Sequence, residues 1–233
     1  MNKLYLLILL FVLNFSVRSQ PIEGMTGLMK IPTAEMQVDG TLMFGANYLP
    51  EAITPEQFNY NTSNYFFNIT FIPFIEFAYR STFIEWSGGR NQDRSFGLRL
   101  CLLKETKLFP SLVVGGNDLY TSNPGIESRY FSSLYGVATK NIEFHKNILG
   151  ITLGIGSGGK QAQNLNGVFG GVSLNPAIIP SMRLMAEYDS HVFSAGAEVL
   201  ILKHIYLFGM AYDLNYFAGG VAYRIYLNNR KRN

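Results

Sequence analysis

Cysteine, charge and long apolar runs are all scarce in this chain. Cys101 is its one cysteine, so neither an intramolecular disulfide framework nor a cysteine-based zinc site can form. A lone cysteine in an apolar strand reads as packing, and none follows the apolar run near the start, so nothing signals a lipid-anchored beginning. Charged residues make up 15% of the chain, and no basic excess of the kind that binds nucleic acid runs through the body. The three histidines, His145, His191 and His204, fall at expected strand ends or turns without metal-ligand spacing. The glycines from Gly154 to Gly159, ahead of Lys160, lack the spacing and the following helix of a phosphate loop. No metal and no other cofactor is therefore expected.

The one apolar run, residues 4–13, is half the length an α-helix needs to cross a bilayer, roughly 20 residues. Lys3 precedes it, and the small residues Val17 and Ser19 suit cleavage before Gln20, so residues 1–19 read as a signal peptide that exports the chain. Asn14, Ser16 and Arg18 argue against a retained anchor helix. Without Lys3 and Arg18, 17 basic residues face 16 acidic ones, three of the basics being clustered in a tail at 228–233. Residues 20–40 read as a periplasmic lead-in.

What the chain has in quantity is glycine, phenylalanine and tyrosine, 23, 18 and 14 residues, set in segments of about ten residues that alternate at period two. Near the C-terminus Phe217, Gly219, Val221, Tyr223, Ile225 and Leu227 oppose Ala218, Gly220, Ala222, Arg224 and Tyr226. Phe96, Leu98, Leu100 and Leu102 oppose Gly97, Arg99 and Cys101, and Met182, Leu184, Ala186 and Tyr188 oppose Arg183, Met185 and Glu187. Twelve such segments begin near Thr41, Tyr65, Phe74, Ser95, Ser111, Ser132, Ile148, Gly167, Ser181, Val192, Ile205 and Tyr216. An even number suits a closed antiparallel up-and-down transmembrane β-barrel over residues 41–227. The connections alternate mostly as such barrels require, long and polar at 50–64, 87–93, 121–130 and 157–166, compact in between.

A soluble β-sandwich or lipocalin-like barrel also alternates, but with its apolar face inward. The charges opposite the apolar faces, Glu76, Arg80, Arg99, Arg183, Glu187, Glu198 and Arg224, suit a wet or hydrogen-bonded lumen, and tyrosines and phenylalanines near strand ends suit an interfacial girdle. Buried charges of this kind must be paired or hydrated. They either tie the walls together, the favoured reading, or line a path for a polar or acidic polymer. Asp118, Asp189 and His191 are expected in outer loops.

The opening Gly24-Met25-Thr26-Gly27-Leu28-Met29-Lys30-Ile31-Pro32-Thr33-Ala34, followed by Asp39-Gly40, resembles the start of the YjbH family of outer-membrane exopolysaccharide proteins. Asp93-Arg94-Ser95-Phe96-Gly97-Leu98-Arg99, Pro110-Ser111-Leu112-Val113-Val114-Gly115-Gly116-Asn117-Asp118 and Tyr135-Gly136-Val137-Ala138-Thr139-Lys140 resemble successive strands of that family. Leu153-Gly154-Ile155-Gly156, Phe169-Gly170-Gly171-Val172 and Ala186-Glu187-Tyr188-Asp189 continue the likeness in order. Each motif is short; their ordered succession carries the resemblance. The better-known members are much longer, with additional barrel and periplasmic parts.

The resemblance implies a non-enzymatic outer-membrane barrel, with no catalytic residue set, that assists production or export of an exopolysaccharide or capsule. Its expected partners are outer-membrane lipid, extracellular polysaccharide and periplasmic polysaccharide-export proteins, with no nucleic acid. Two other readings stand beside it. One is a small outer-membrane enzyme acting on lipid or glycan through Asp118, Asp189 and His191; the other is a structural or adhesive barrel that makes contacts through its outer loops.

Overall fold

The computed structural model describes residues 22–54, 60–86, 89–121, 132–158 and 165–227, with the side chains of 84–86, 89–91 and 121 left aside. The leader at 1–19, the basic tail at 228–233 and most of the connections at 121–130 and 157–166 lie outside the described residues. Period-two alternation across the rest builds twelve strands: β1 Thr41–Leu49, β2 Thr62–Ile72, β3 Ile75–Trp86, β4 Gly89–Leu103, β5 Ser111–Thr121, β6 Ser133–Phe144, β7 Asn147–Gly158, β8 Gly167–Asn175, β9 Met182–Tyr188, β10 Phe193–Ile201, β11 Ile205–Tyr212 and β12 Tyr216–Tyr226. Each pairs antiparallel with its sequence neighbour, and β1 pairs with β12 from Thr41↔Tyr226 to Tyr48↔Gly219, closing the barrel. Closure leaves no sheet edge with unpaired backbone groups. At the seam Phe44 and Tyr223 stand opposite one another, ring centres 5.7 Å apart.

Side-chain orientation is the reverse of a water-soluble barrel. In β2, Tyr65 and Phe67 face out while Asn64, Asn68 and Thr70 are buried; in β4, Leu98 and Leu100 face out while Arg99 is wholly buried. Leu153, Ile155, Val168, Val172, Leu207 and Val221 extend the outward apolar surface around the wall. The lipocalin-like alternative needs the opposite arrangement.

One end of the barrel, here the proximal end, carries Gly40, the start of β1, the end of β12 and the connections after even-numbered strands. Its connections are short: the two-residue turn His145-Lys146 joins β6 to β7, and Leu202 and Lys203 turn β10 into β11. Each of these four residues has positive φ, the geometry that matches a hairpin to strand twist. At the distal end the β1–β2, β5–β6 and β7–β8 connections are long. The β3–β4 connection departs from expectation. Instead of a polar loop over 87–93, the ladder continues past Thr82↔Asp93 up to Trp86↔Gly89. Polar residues beyond an apolar belt satisfy their backbone groups in a strand as well as in a loop, so polarity does not mark where this strand ends.

Of the stretch read as a periplasmic lead-in, residues 22–36 lie inside the barrel. Ile22, Leu28, Met29, Ile31 and Ala34 are at most 2% exposed and pack against the inward wall residues Val113, Tyr135, Val137, Phe169 and Met185. Full burial of each large apolar side chain is worth about 1.5–3 kcal/mol, so a segment this apolar is more stable in the lumen than in water.

Candidate functional site

The lumen and the N-terminal segment that fills it form the candidate site. Residues 22–36 fold back on themselves: Gly27 bridges to Pro32, the Leu28 N–H donates to the Ile31 carbonyl at 2.9 Å, and the Ile22 N–H donates to the Met29 carbonyl at 2.8 Å. This small hairpin leaves many backbone groups unsatisfied, and in a lumen without free access to water the wall must meet them.

Two carboxylates and one guanidinium do most of this. Glu76 on β3 accepts from the Thr26 N–H at 2.6 Å and from the Thr26 hydroxyl at 2.7 Å. Asn68 Nδ2 also donates to Glu76 at 2.8 Å and reaches the Gly24 carbonyl at 3.0 Å. Arg99 on β4 donates to the carbonyls of Thr26, Thr33 and Glu35 and lies 3.5 Å from Glu76. Across the lumen, Glu187 on β9 accepts from the backbone N–H groups of Lys30 at 2.8 Å, Met29 at 3.0 Å and Ile31 at 3.5 Å. A carboxylate receiving several backbone N–H bonds is a charge-assisted anchor, roughly twice as strong per bond as a neutral one.

Three further ties fix the ends of the hairpin. Asn47 and Asn64, paired across β1 and β2, both donate to the Ile22 carbonyl, at 2.9 and 3.0 Å. Lys30 Nζ meets Asp189 at 2.6 Å and the Tyr212 hydroxyl at 3.1 Å, with the Tyr212 ring 4.7 Å away. Arg183 on β9 reaches Glu35 at 2.8 Å and Ser173 at 2.9 Å. Glycines on the wall make room. A Cβ on Gly97 would come within 2.5 Å of the Met25 methyl, and one on Gly171 within 2.6 Å of Leu28.

Of the lumen residues expected from sequence, Glu76, Arg99, Arg183 and Glu187 therefore converge on the plug. Glu198 stands opposite Arg183 in the β9–β10 register and is buried. Arg224 lies 4.8 Å from the ring centres of both Tyr206 and Tyr226 and donates to the Lys203 carbonyl at 3.3 Å. Arg80 is buried midway along β3, opposite Ser95 in the β3–β4 register.

The loop candidates are not a cluster. Asp118 lies within β5 rather than in a loop, 2% exposed and with φ of 48°, where the β4–β5 register shifts between Leu98↔Gly116 and Phe96↔Tyr120. Asp189 follows β9 and is buried, one oxygen on Lys30 and the other accepting from the His191 and Val192 N–H groups at 3.0 and 2.9 Å. Burial alone would push its carboxyl upward, but the Lys30 ammonium, with these hydrogen bonds, holds it below the ordinary value. The exposed His191 ring lies 3.1 Å from the Ser190 hydroxyl, and Asp189 faces the plug, so no nucleophile, base and orienter stand in series. Among the described residues no group of acids, histidines or cysteine could hold a metal ion.

Thr26, Lys30, Thr33 and Glu35, with Asn47, Asn64, Asn68 and Tyr212, escaped the sequence reading. The available signal was the density of Ile22, Met25, Leu28, Met29 and Ile31 in a stretch assigned to an aqueous compartment.

A closed antiparallel barrel, apolar outside and polar within, with its own N-terminal segment in the lumen, defines the class of this protein. The chain belongs to the YjbH family, described as exopolysaccharide biosynthesis protein YbjH, whose profile matches residues 19–168. The matched span takes in the plug and β1 to β7, with Glu76 and Arg99 inside it and Glu187 and Asp189 beyond it. No curated protein matches the chain. Among solved structures, outer membrane phospholipase A from Escherichia coli is similar at 12% identity and a TM-score of 0.37, covering 83% of this chain and 98% of that one.

Proposed function

We propose that this protein is an outer-membrane barrel that assists production or export of an exopolysaccharide, without catalysing a reaction itself. Family membership is the observation that carries this reading. The outward apolar wall supports placement in a membrane, since Phe67, Leu98, Leu153, Ile155 and Val221 are stable against lipid and not against water. Its partners in this reading are outer-membrane lipid, the polysaccharide, and periplasmic export proteins.

The plug bears on how such a barrel works. Glu76, Arg99, Arg183 and Glu187 are committed to residues 26–35, so they hold a peptide rather than line a polymer path. Passage through this lumen requires displacement of the plug; a role beside the lumen does not.

The first test is polysaccharide at the cell surface and in the periplasm of a deletion strain, beside its parent and a complemented strain. Loss at the surface with periplasmic accumulation is expected. Unchanged amounts in both places would overturn the proposal. Planar-bilayer recordings then separate the two mechanisms: the full protein is closed, and a variant lacking residues 22–36 conducts in discrete steps if the lumen is the path.

A further inference from the structure

The two ends of the barrel carry different chemistry. Beyond the plug, all five lysines among the described residues, Lys104, Lys107, Lys140, Lys146 and Lys203, lie on or beside proximal connections. Lys140 is neutralised by Glu105 at 3.2 Å; the exposed Glu143 and the half-buried Asp39 are fewer than the four remaining lysines, which leaves a net positive rim. At the distal end the exposed charges among the described residues are mixed, with Glu51 and Asp213 against Arg94. In sequence, Arg230, Lys231 and Arg232 follow β12, which ends at the proximal rim.

Apolar side chains stand beside these lysines. Leu108 and Phe109 follow Lys107, Leu202 precedes Lys203, and Ile178 sits in the β8–β9 turn, with exposures of 85%, 61%, 68% and 90%. Leu202 sits in a tight turn, and the longer β4–β5 and β8–β9 connections are folded back on themselves, the Thr106 N–H donating to the Phe109 carbonyl at 3.0 Å and the Ile179 N–H to the Pro176 carbonyl at 3.1 Å. In a membrane these groups therefore lie at the boundary between acyl chains and headgroups. There an aliphatic tip is buried and a lysine stem lets its ammonium reach outward.

We infer that the proximal rim is a docking surface for anionic phospholipid, its lysines binding headgroup phosphates while Leu108, Phe109, Ile178 and Leu202 enter the acyl boundary. Charge alone would fit an acidic polymer equally well. The apolar tips decide between them, because a hydrated polyanion gives Leu108 or Ile178 nothing to bury against. The inference rests on the transmembrane reading.

The test uses the full mature protein folded in detergent, its folding checked by the gel-mobility change on boiling, which reports on the barrel independently of lipid preference. Phosphatidylglycerol and phosphatidylcholine with identical chains are offered together, and retained lipids are counted by native mass spectrometry. Preferential retention of phosphatidylglycerol is expected. Each lysine beside an anionic surface contributes on the order of fivefold to binding, so K104Q/K107Q/K146Q/K203Q should lose about tenfold or more of that preference. The matching set of arginine substitutions should keep it, and Arg94→Gln at the distal end should leave it unchanged. Equal retention of both lipids by the unaltered protein would overturn the inference. So would a preference that survives the glutamine set, or binding of a soluble polyanion in place of the lipid.

Discussion

Glu76 and Arg99 hold opposite sides of the same residue: the carboxylate takes the N–H and hydroxyl of Thr26, the guanidinium takes its carbonyl, and the two lie 3.5 Å apart. Both side chains are wholly buried. Removing one leaves an uncompensated charge in the lumen, which costs about 3–5 kcal/mol, whereas removing both does not. Glu76→Leu and Arg99→Leu should each destabilise the barrel by that order, and the double variant by clearly less than their sum. Urea unfolding from lipid vesicles measures this, and simple additivity would show that the two act separately.

Gly97 offers a test of the plug's fit. Its missing Cβ would meet the flexible end of Met25 at 2.5 Å, with the nearest backbone atom at 3.3 Å. Gly97→Ala should loosen the plug, and Met25→Ala in the same chain should restore it. Protease protection of residues 22–36 reports the outcome; a glycine needed only for the wall would not be rescued.

The Lys30–Asp189 pair makes the plug sensitive to acid. The native carboxyl of Asp189 lies below its ordinary value of 3.8, so the folded state binds fewer protons than the unfolded chain. The stability this contributes is present above about pH 3.8 and is lost as pH falls through the depressed native value. A Met29→Cys reporter in a Cys101→Ser background should be protected at neutral pH and become reactive to an acid-active disulfide reagent below that range. Asp189→Asn should raise reactivity at neutral pH and flatten the profile; the same acid-dependent profile in that variant would assign the effect elsewhere.

The distal β11–β12 turn places Asp213 and Leu214 at φ of 51° and 56°. A branched apolar residue in this left-handed region costs about 1–2 kcal/mol relative to glycine. Replacing the pair by Asn-Gly should stabilise the barrel by about 1 kcal/mol, seen as a higher urea midpoint with an unchanged slope.

The twelve strands were legible because period two survives any tertiary arrangement. Eleven of the twelve start within three residues of their expected positions, and β4, which begins at Gly89 rather than near Ser95, is the exception. Its polar residues 91–94 carry no local mark that separates a strand above an apolar belt from a loop. The inward charges Glu76, Arg99, Arg183 and Glu187 were legible for the same reason, since alternation assigns each to a face. Their ligand was not. Glu187 and Met29 are 158 residues apart, and no local pattern states which distant backbone a carboxylate will satisfy. By itself the sequence determined the all-β architecture, the strand number and the two faces of the wall, which follow from side-chain periodicity. Only the tertiary structure decided that residues 22–36 fill the lumen, because that depends on closing the ring of strands and leaving an enclosed space whose buried polar groups must find partners.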